Sequence, residues 1–267
     1  MLFSWNIFWL FALVSLLLWA AGAVVAFLRG RQYRRLALGL TLAGIAVYVA
    51  FIIGLWTSLG RPPLRTLGET RLWYSLFMMA SGWLVYRLWR YRWILSFSLI
   101  VAAVFIIINL VHPDIHDQSL MPALQSAWFV PHVTAYIFSY SLFGCSFLMA
   151  VIGLWRHTDA YLPSADRLIG IGLFFLTFGM LSGCIWAKQA WGDYWTWDPK
   201  ETWAAATWCA CLLYVHLRLK AGRSESEGPK SVAAYTALIV IFLLLQMCWY
   251  GVNFLPSATQ SMHSYTQ

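Results

Sequence analysis

Charge is what this chain has least of. Only 10% of its 267 residues are Asp, Glu, Lys or Arg, where a soluble domain carries about a quarter. That scarcity excludes an ordinary water-soluble fold. The five cysteines, at 145, 184, 209, 211 and 248, all lie in apolar runs, and no C-x-x-C or C-x-x-C-H spacing occurs. Neither a cysteine-based zinc site nor covalent haem attachment to this chain is therefore indicated, and the thiols read as small apolar fillers. A basic stripe is also missing. The net charge of +8 comes from residues scattered at the ends of apolar runs, which argues against nucleic acid as a partner. The first apolar run, 8–28, is too long for a signal's hydrophobic region and no basic stretch precedes it, so a cleavable signal peptide is not expected.

Apolar sequence is what the chain has in excess: 61% of residues are hydrophobic and 18% aromatic. Charge-poor runs near 20 residues recur, which predicts an all-α polytopic membrane bundle. Eight spans are expected, roughly 7–28, 36–56, 72–89, 94–112, 128–154, 168–187, 203–220 and 233–254. They form one transmembrane domain over 1–267, with no soluble domain and no evident internal repeat. Of the 18 basic residues, thirteen fall in the loops on one side. The other side has Arg61, Arg65, Arg71, Lys188 and Lys200. The positive-inside rule then puts both termini on the non-cytoplasmic side, hereafter the outer side. The outer loop at 60–71 is rich in proline and charge, should be extended, and brings Glu69 to the start of the third span. In the outer loop at 111–126, His112, Asp114, His116 and Asp117 have a solvated-surface reading and a metal-site reading.

The segment 186–208, WAKQAWGDYWTWDPKETWAAATW, is also on the outer side and holds six tryptophans and Tyr194. An interfacial anchor needs only one or two indoles per helix end, so this density suggests a platform for a flat aromatic ligand. Asp198, Pro199 and Glu201 are placed as N-cap, first helical residue and capping-box partner. Both carboxylates therefore have a helix-capping reading beside the ligand reading.

Histidines add chemistry to that surface. His132 enters the fifth span from the outer side, and His263 lies in the outer tail. Neutral imidazole is a strong-field ligand for haem iron, so the two could bind one iron from opposite faces with the indoles holding the ring. The bland readings are a packing histidine bonded to a neighbouring carbonyl for His132 and a loose tail residue for His263. His216 sits about 20 Å down the seventh span, at 1.5 Å per residue. An ionisable group at that depth is a functional candidate, and no second intramembrane histidine of this chain is expected beside it.

With these residues in view the chain resembles the CcsA-type (ResC-type) membrane proteins of System II cytochrome c biogenesis. WGDYWTWDPKETW matches that family's tryptophan-rich signature. Arg61-Pro62-Pro63-Leu64 through Glu69, the stretch LQSAWFVPHV at 124–133, GVNFL at 251–255 and His263-Ser264-Tyr265 agree in order. The resemblance implies a haem-handling protein of a bacterial inner membrane or a thylakoid membrane, with haem b as its cargo. His132 and His263 would be the axial and catalytic pair. His216 would serve haem inside the membrane together with a Ccs1/ResB-type partner. Trp191, Gly192, Trp195, Trp197 and Asp198 fall in the haem-holding signature. The implied activity is that of the haem-binding subunit of a cytochrome c synthase (haem lyase), delivering reduced haem to the C-x-x-C-H of an apocytochrome. A haem exporter or chaperone of the CcmC type and a HemX-like scaffold are the alternatives. The tail residues 256–262 depart from the glycine-rich pattern usual in the family. Beyond the resemblance, haem propionates need cations, and at least one of Lys188 and Arg65 is expected to supply one.

Overall fold

The computed structural model describes residues 4–116, 122–223, 230–256 and 261. The described residues form eight α-helices and a few short 3-10 turns, with no strand among them. Helices α1 (Phe8–Val25), α2 (Arg31–Leu59), α3 (Leu67–Trp89) and α4 (Trp93–Val111) precede α5 (Phe129–Trp155), α6 (Leu162–Trp191), α7 (Pro199–Arg223) and α8 (Lys230–Trp249). All eight expected spans are helices. Six are long and apolar enough to cross a membrane. The remaining two, α3 and α7, have comparable length but are interrupted more often by Trp, Tyr, Ser, Thr and charged residues. Helix α8 stops at Trp249, and the stretch 251–254 forms a separate 3-10 turn instead of extending it.

The chain divides into two compact units, Met1–Gln125 and Ser126–Gln267. In the first, neighbours run α1–α2, α2–α3, α3–α4 and back to α1–α4, a closed four-helix ring. Its core joins Trp19, Tyr48, Phe51, Leu55, Leu72, Met79 and Ile106. The approach of α1 to α2 depends on Gly44, where a Cβ would lie 2.5 Å from the Trp19 indole. Helix α3 opens with a capping box: Thr66 Oγ1 accepts from the Glu69 N–H at 3.1 Å, and Glu69 Oε2 accepts from the Thr66 N–H at 3.2 Å. The loop before it, expected to be extended, is tied back onto the Glu69 carboxylate. Glu69 is 1% exposed, grips Arg61 through two 2.9 Å bonds and accepts the Arg65 N–H at 2.7 Å. His116 is packed as well, stacked on Trp5 at 3.6 Å and 5°, so the surface-loop reading of that histidine is replaced. No group of three metal-binding side chains occurs among the described residues.

The second unit repeats the ring as α5–α6, α6–α7, α7–α8 and α5–α8. At the end of α6 away from the tryptophan segment, Arg218 of α7 makes a two-bond pair with Asp166 at 2.8 and 2.9 Å, and Tyr214 donates to the same carboxylate at 2.6 Å. Towards the other end, Trp208 Nε1 of α7 donates to Thr177 Oγ1 of α6 at 2.9 Å. The pair α6–α7 is thus fastened at two levels. The repeat that the residue pattern hides is visible in the frame: 132 residues separate Gly60 from Gly192, Thr66 from Asp198 and Glu69 from Glu201.

Candidate functional site

The site is built on the end of the second unit where α6 gives way to α7. Helix α6 closes at Gly192, whose φ of +94° is a left-handed C-cap open to glycine at little cost,. The exposed Lys188 side chain bonds the Gly192 carbonyl. Its ammonium also lies 5.3 Å from the centre of the Tyr194 ring. Helix α7 then opens as the capping pattern requires. Asp198 Oδ1 accepts the Lys200 N–H at 2.9 Å, and Glu201 Oε2 accepts the Asp198 N–H at 3.1 Å and the Thr196 N–H at 2.9 Å. Both carboxylates therefore do cap the helix. Asp198 has a second task, because the same Oδ1 accepts from Ser261 Oγ at 3.0 Å. Burial lowers the pKa of the Lys200 ammonium beside them, with Cys248 and Asp198 acting in the opposite direction.

The six tryptophans divide by environment. Trp186 is 1% exposed and is a core residue, packed on Phe129, His132 and Trp191. Trp191, Trp203 and Trp208 are half-buried. Trp195 and Trp197 meet edge to face at 5.7 Å and 86°, and Trp197 is 69% exposed. The exposed aromatic surface is thus Tyr194 and Trp197, with Trp195 half-buried behind them.

His132 stands in the first turn of α5 against α6. Its Nδ1 is 2.7 Å from the Gly179 carbonyl. A carbonyl can only accept, so Nδ1 carries a proton, and in its neutral form the ring has its lone pair on Nε2, the form that binds a metal,. The ring stacks on Trp186 at 5.3 Å and 26°. This closeness depends on two glycines: a Cβ at Gly183 would sit 2.5 Å from His132 Nδ1, and one at Gly179 would sit 2.3 Å from the Tyr136 ring. Gly179 and Gly183 form a G-x-x-x-G step, the pattern that lets membrane helices approach closely. The sequence reading missed both, although that spacing was there to be seen. A packing histidine would make the same carbonyl bond, so the bond fixes the tautomer without by itself choosing the role.

The other histidines are placed differently. His216 is exposed on α7 between the exposed Leu213 and Leu217, away from His132 and on the apolar outside of its unit. His263 lies outside the described residues. Ser261, two positions before it, is buried against Asp198. Of the proposed propionate partners, Arg65 bonds the Gln125 carbonyl at 3.5 Å, and burial and the nearby Arg61 lower its pKa against the pull of Glu69.

Residues 9–259 match the family model described as Cytochrome C assembly protein. The chain belongs to that family. Among its relatives, the cytochrome c biogenesis protein CcsA of Chlamydomonas reinhardtii is 42% identical over 159 residues, covering 55% of this chain and 42% of that one. The CcsA of Chlorella vulgaris is 37% identical over 191 residues, covering 55% and 58%. That of Phalaenopsis aphrodite subsp. formosana is 28% identical over 280 residues, covering 84% and 86%. The chain spans about half the length of the first two. A solved structure titled Cytochrome c Heme Lyase CcmF is similar in fold, with a TM-score of 0.70 at 18% identity over 91% of this chain and 46% of that one. This family member is an integral membrane protein with a role in cytochrome c biogenesis.

Proposed function

We propose that this family member holds reduced haem at the outer membrane face. The observation that carries the reading is the grouping of His132, its Nδ1–H bonded to Gly179 and its ring stacked on Trp186, with a tryptophan segment that leaves Trp197 69% exposed. The bond to Gly179 leaves Nε2 in the ligating form, on a ring whose orientation is set by Trp186 and the glycine step. The exposed Trp197 and Tyr194, with Trp195, supply an apolar surface suited to a flat macrocycle,. His263 would be the opposite axial ligand. The Ser261–Asp198 bond supports this, since two residues span at most about 7 Å. His216, facing outward on α7, would take haem within the membrane together with a histidine of the Ccs1/ResB-type partner.

Haem is cargo in this scheme, and its attachment needs no nucleophile from this chain. An apocytochrome presents C-x-x-C-H, and each cysteine S–H adds across one vinyl group. A C–S bond forms, the proton goes to the neighbouring vinyl carbon, and no net electron is transferred. What the protein contributes is placement. Holding thiols beside an immobilised ring can supply several kcal/mol, of order 7–11 in favourable cases.

The test is production of this chain with its partner and an apocytochrome, followed by absorption spectra and a covalent-haem stain. Covalent product that requires both membrane proteins and His132 bears the reading out. A haem-loaded complex giving no covalent product would make the protein a carrier, and a colourless one would make it a scaffold.

A further inference from the structure

We infer that Glu201 is a positioning residue for the haem surface, acting by holding Trp197 in a left-handed turn. Trp197 has φ +59°, a region that bulky L-residues seldom occupy and that persists only where the surroundings impose it. The constraint is visible on both sides. A single oxygen, Glu201 Oε2, accepts the N–H of Thr196 at 2.9 Å and of Asp198 at 3.1 Å, the two residues that flank Trp197. The Thr196 hydroxyl reaches the same oxygen at 3.5 Å. Backbone N–H groups that converge around a left-handed residue make a concave seat for an anion, and here the anion is built into the chain. Glu201 is 9% exposed while Trp197, which it frames, is 69% exposed. Burying the acid thus turns the ring outward, edge to face with Trp195.

Helix capping alone does not account for this arrangement, and the first unit provides the control. Glu69 stands at the same place in the frame and caps α3 in the same way. Its Oε2 takes the N–H groups of two adjacent residues, Arg65 and Thr66, and the Arg61 guanidinium donates to both carboxylate oxygens. Neither residue has a positive φ. A capping glutamate in this frame therefore does not need a left-handed neighbour. The turn at Trp197 is the added feature, and the bond to Thr196 is what distinguishes the second clamp from the first.

This inference rests on the haem reading above, and one experiment separates their failures. The full chain is produced with its partner, and the rate of haem loss to an excess of a haem-scavenging apoprotein is followed for wild type, Glu201→Ala, Glu201→Gln, Trp197→Gly and the double variant Glu201→Ala/Trp197→Gly. Trp197→Gly keeps the left-handed turn open while removing the indole. Residues acting through one another are non-additive, so Glu201→Ala should speed haem loss about tenfold, yet change the rate less than about twofold in the Trp197→Gly background. Glu201→Gln, which retains an acceptor oxygen, should fall between wild type and Glu201→Ala. Equal factors in both backgrounds would reduce Glu201 to a helix cap and overturn the inference, as would an unchanged rate in Glu201→Ala. If Glu201→Ala does not fold, the Glu201→Gln pair in the same two backgrounds decides by the same criterion. Wild type that carries no haem overturns the haem reading itself.

Discussion

The loops opening α3 and α7 share a frame and use it in opposite ways. Each follows a glycine C-cap, runs six residues to a capping residue and closes on a buried glutamate three positions later. In the first unit the polar groups turn inward. Arg61 and Glu69 satisfy each other, and Trp73 Nε1 donates to the Pro63 carbonyl at 2.7 Å. In the second unit the carboxylates serve the backbone and the tail, which leaves indoles on the outside. The lesson is that a capped helix start tolerates very different cargo between glycine and cap. Recognition residues can be changed there without disturbing the bundle beneath.

If that division of labour holds, damage to the first loop should show as lost stability and damage to the second as lost ligand. The largest effect expected is from Glu69→Ala. It strands a mostly buried guanidinium and the backbone N–H donors of Arg65 and Thr66, for about 3–5 kcal/mol, read as a lower thermal unfolding midpoint in detergent. His132→Gly should lower that midpoint less than Glu69→Ala does, costing about 1–2 kcal/mol, and remove most of the haem absorbance, with added imidazole restoring a low-spin spectrum; full colour without imidazole would break the contrast. Gly183→Val should push the His132 ring from its notch at a cost of about 1–3 kcal/mol and lower haem retention along with it. Ser261→Ala removes one bond to Asp198, worth about 1 kcal/mol, and should quicken proteolysis of the tail more than unfolding of the bundle. Lys188→Ala is expected to do least. Its bond to the end of α6 and its contact with Tyr194 are exposed and contribute about 0.5 kcal/mol. Haem retention should fall slightly with the low-spin spectrum intact, and an unchanged load would remove Lys188 from any role with propionates.

Much of this architecture could be read from residue order, because it follows from local rules. Apolar run length set the eight helices, and Asp198-Pro199-Lys200-Glu201 announced the start of α7. The Thr66–Glu69 box was written just as locally. What escaped reading depends on partners distant in the chain. Nothing near Glu69 in pattern alone says that Arg61 will fold back onto it. The G-x-x-x-G step at Gly179 acquires meaning only once His132 lies against it, 47 residues away. Division into two units was hidden because the repeated frame keeps glycine and glutamate and changes nearly everything between them. The left-handed Trp197 had no sequence signal, since residues in that conformation are normally glycine or asparagine.

The Asp166 brace on α7 also bears on its outward-facing histidine. Arg218 and Tyr214 sit on either side of His216 in sequence and both hold the same carboxylate. With two anchors a helical turn apart, α7 cannot roll about its own long axis without releasing both. The compass bearing of the imidazole is thereby locked. Anything that reaches the ring must approach it from that one direction.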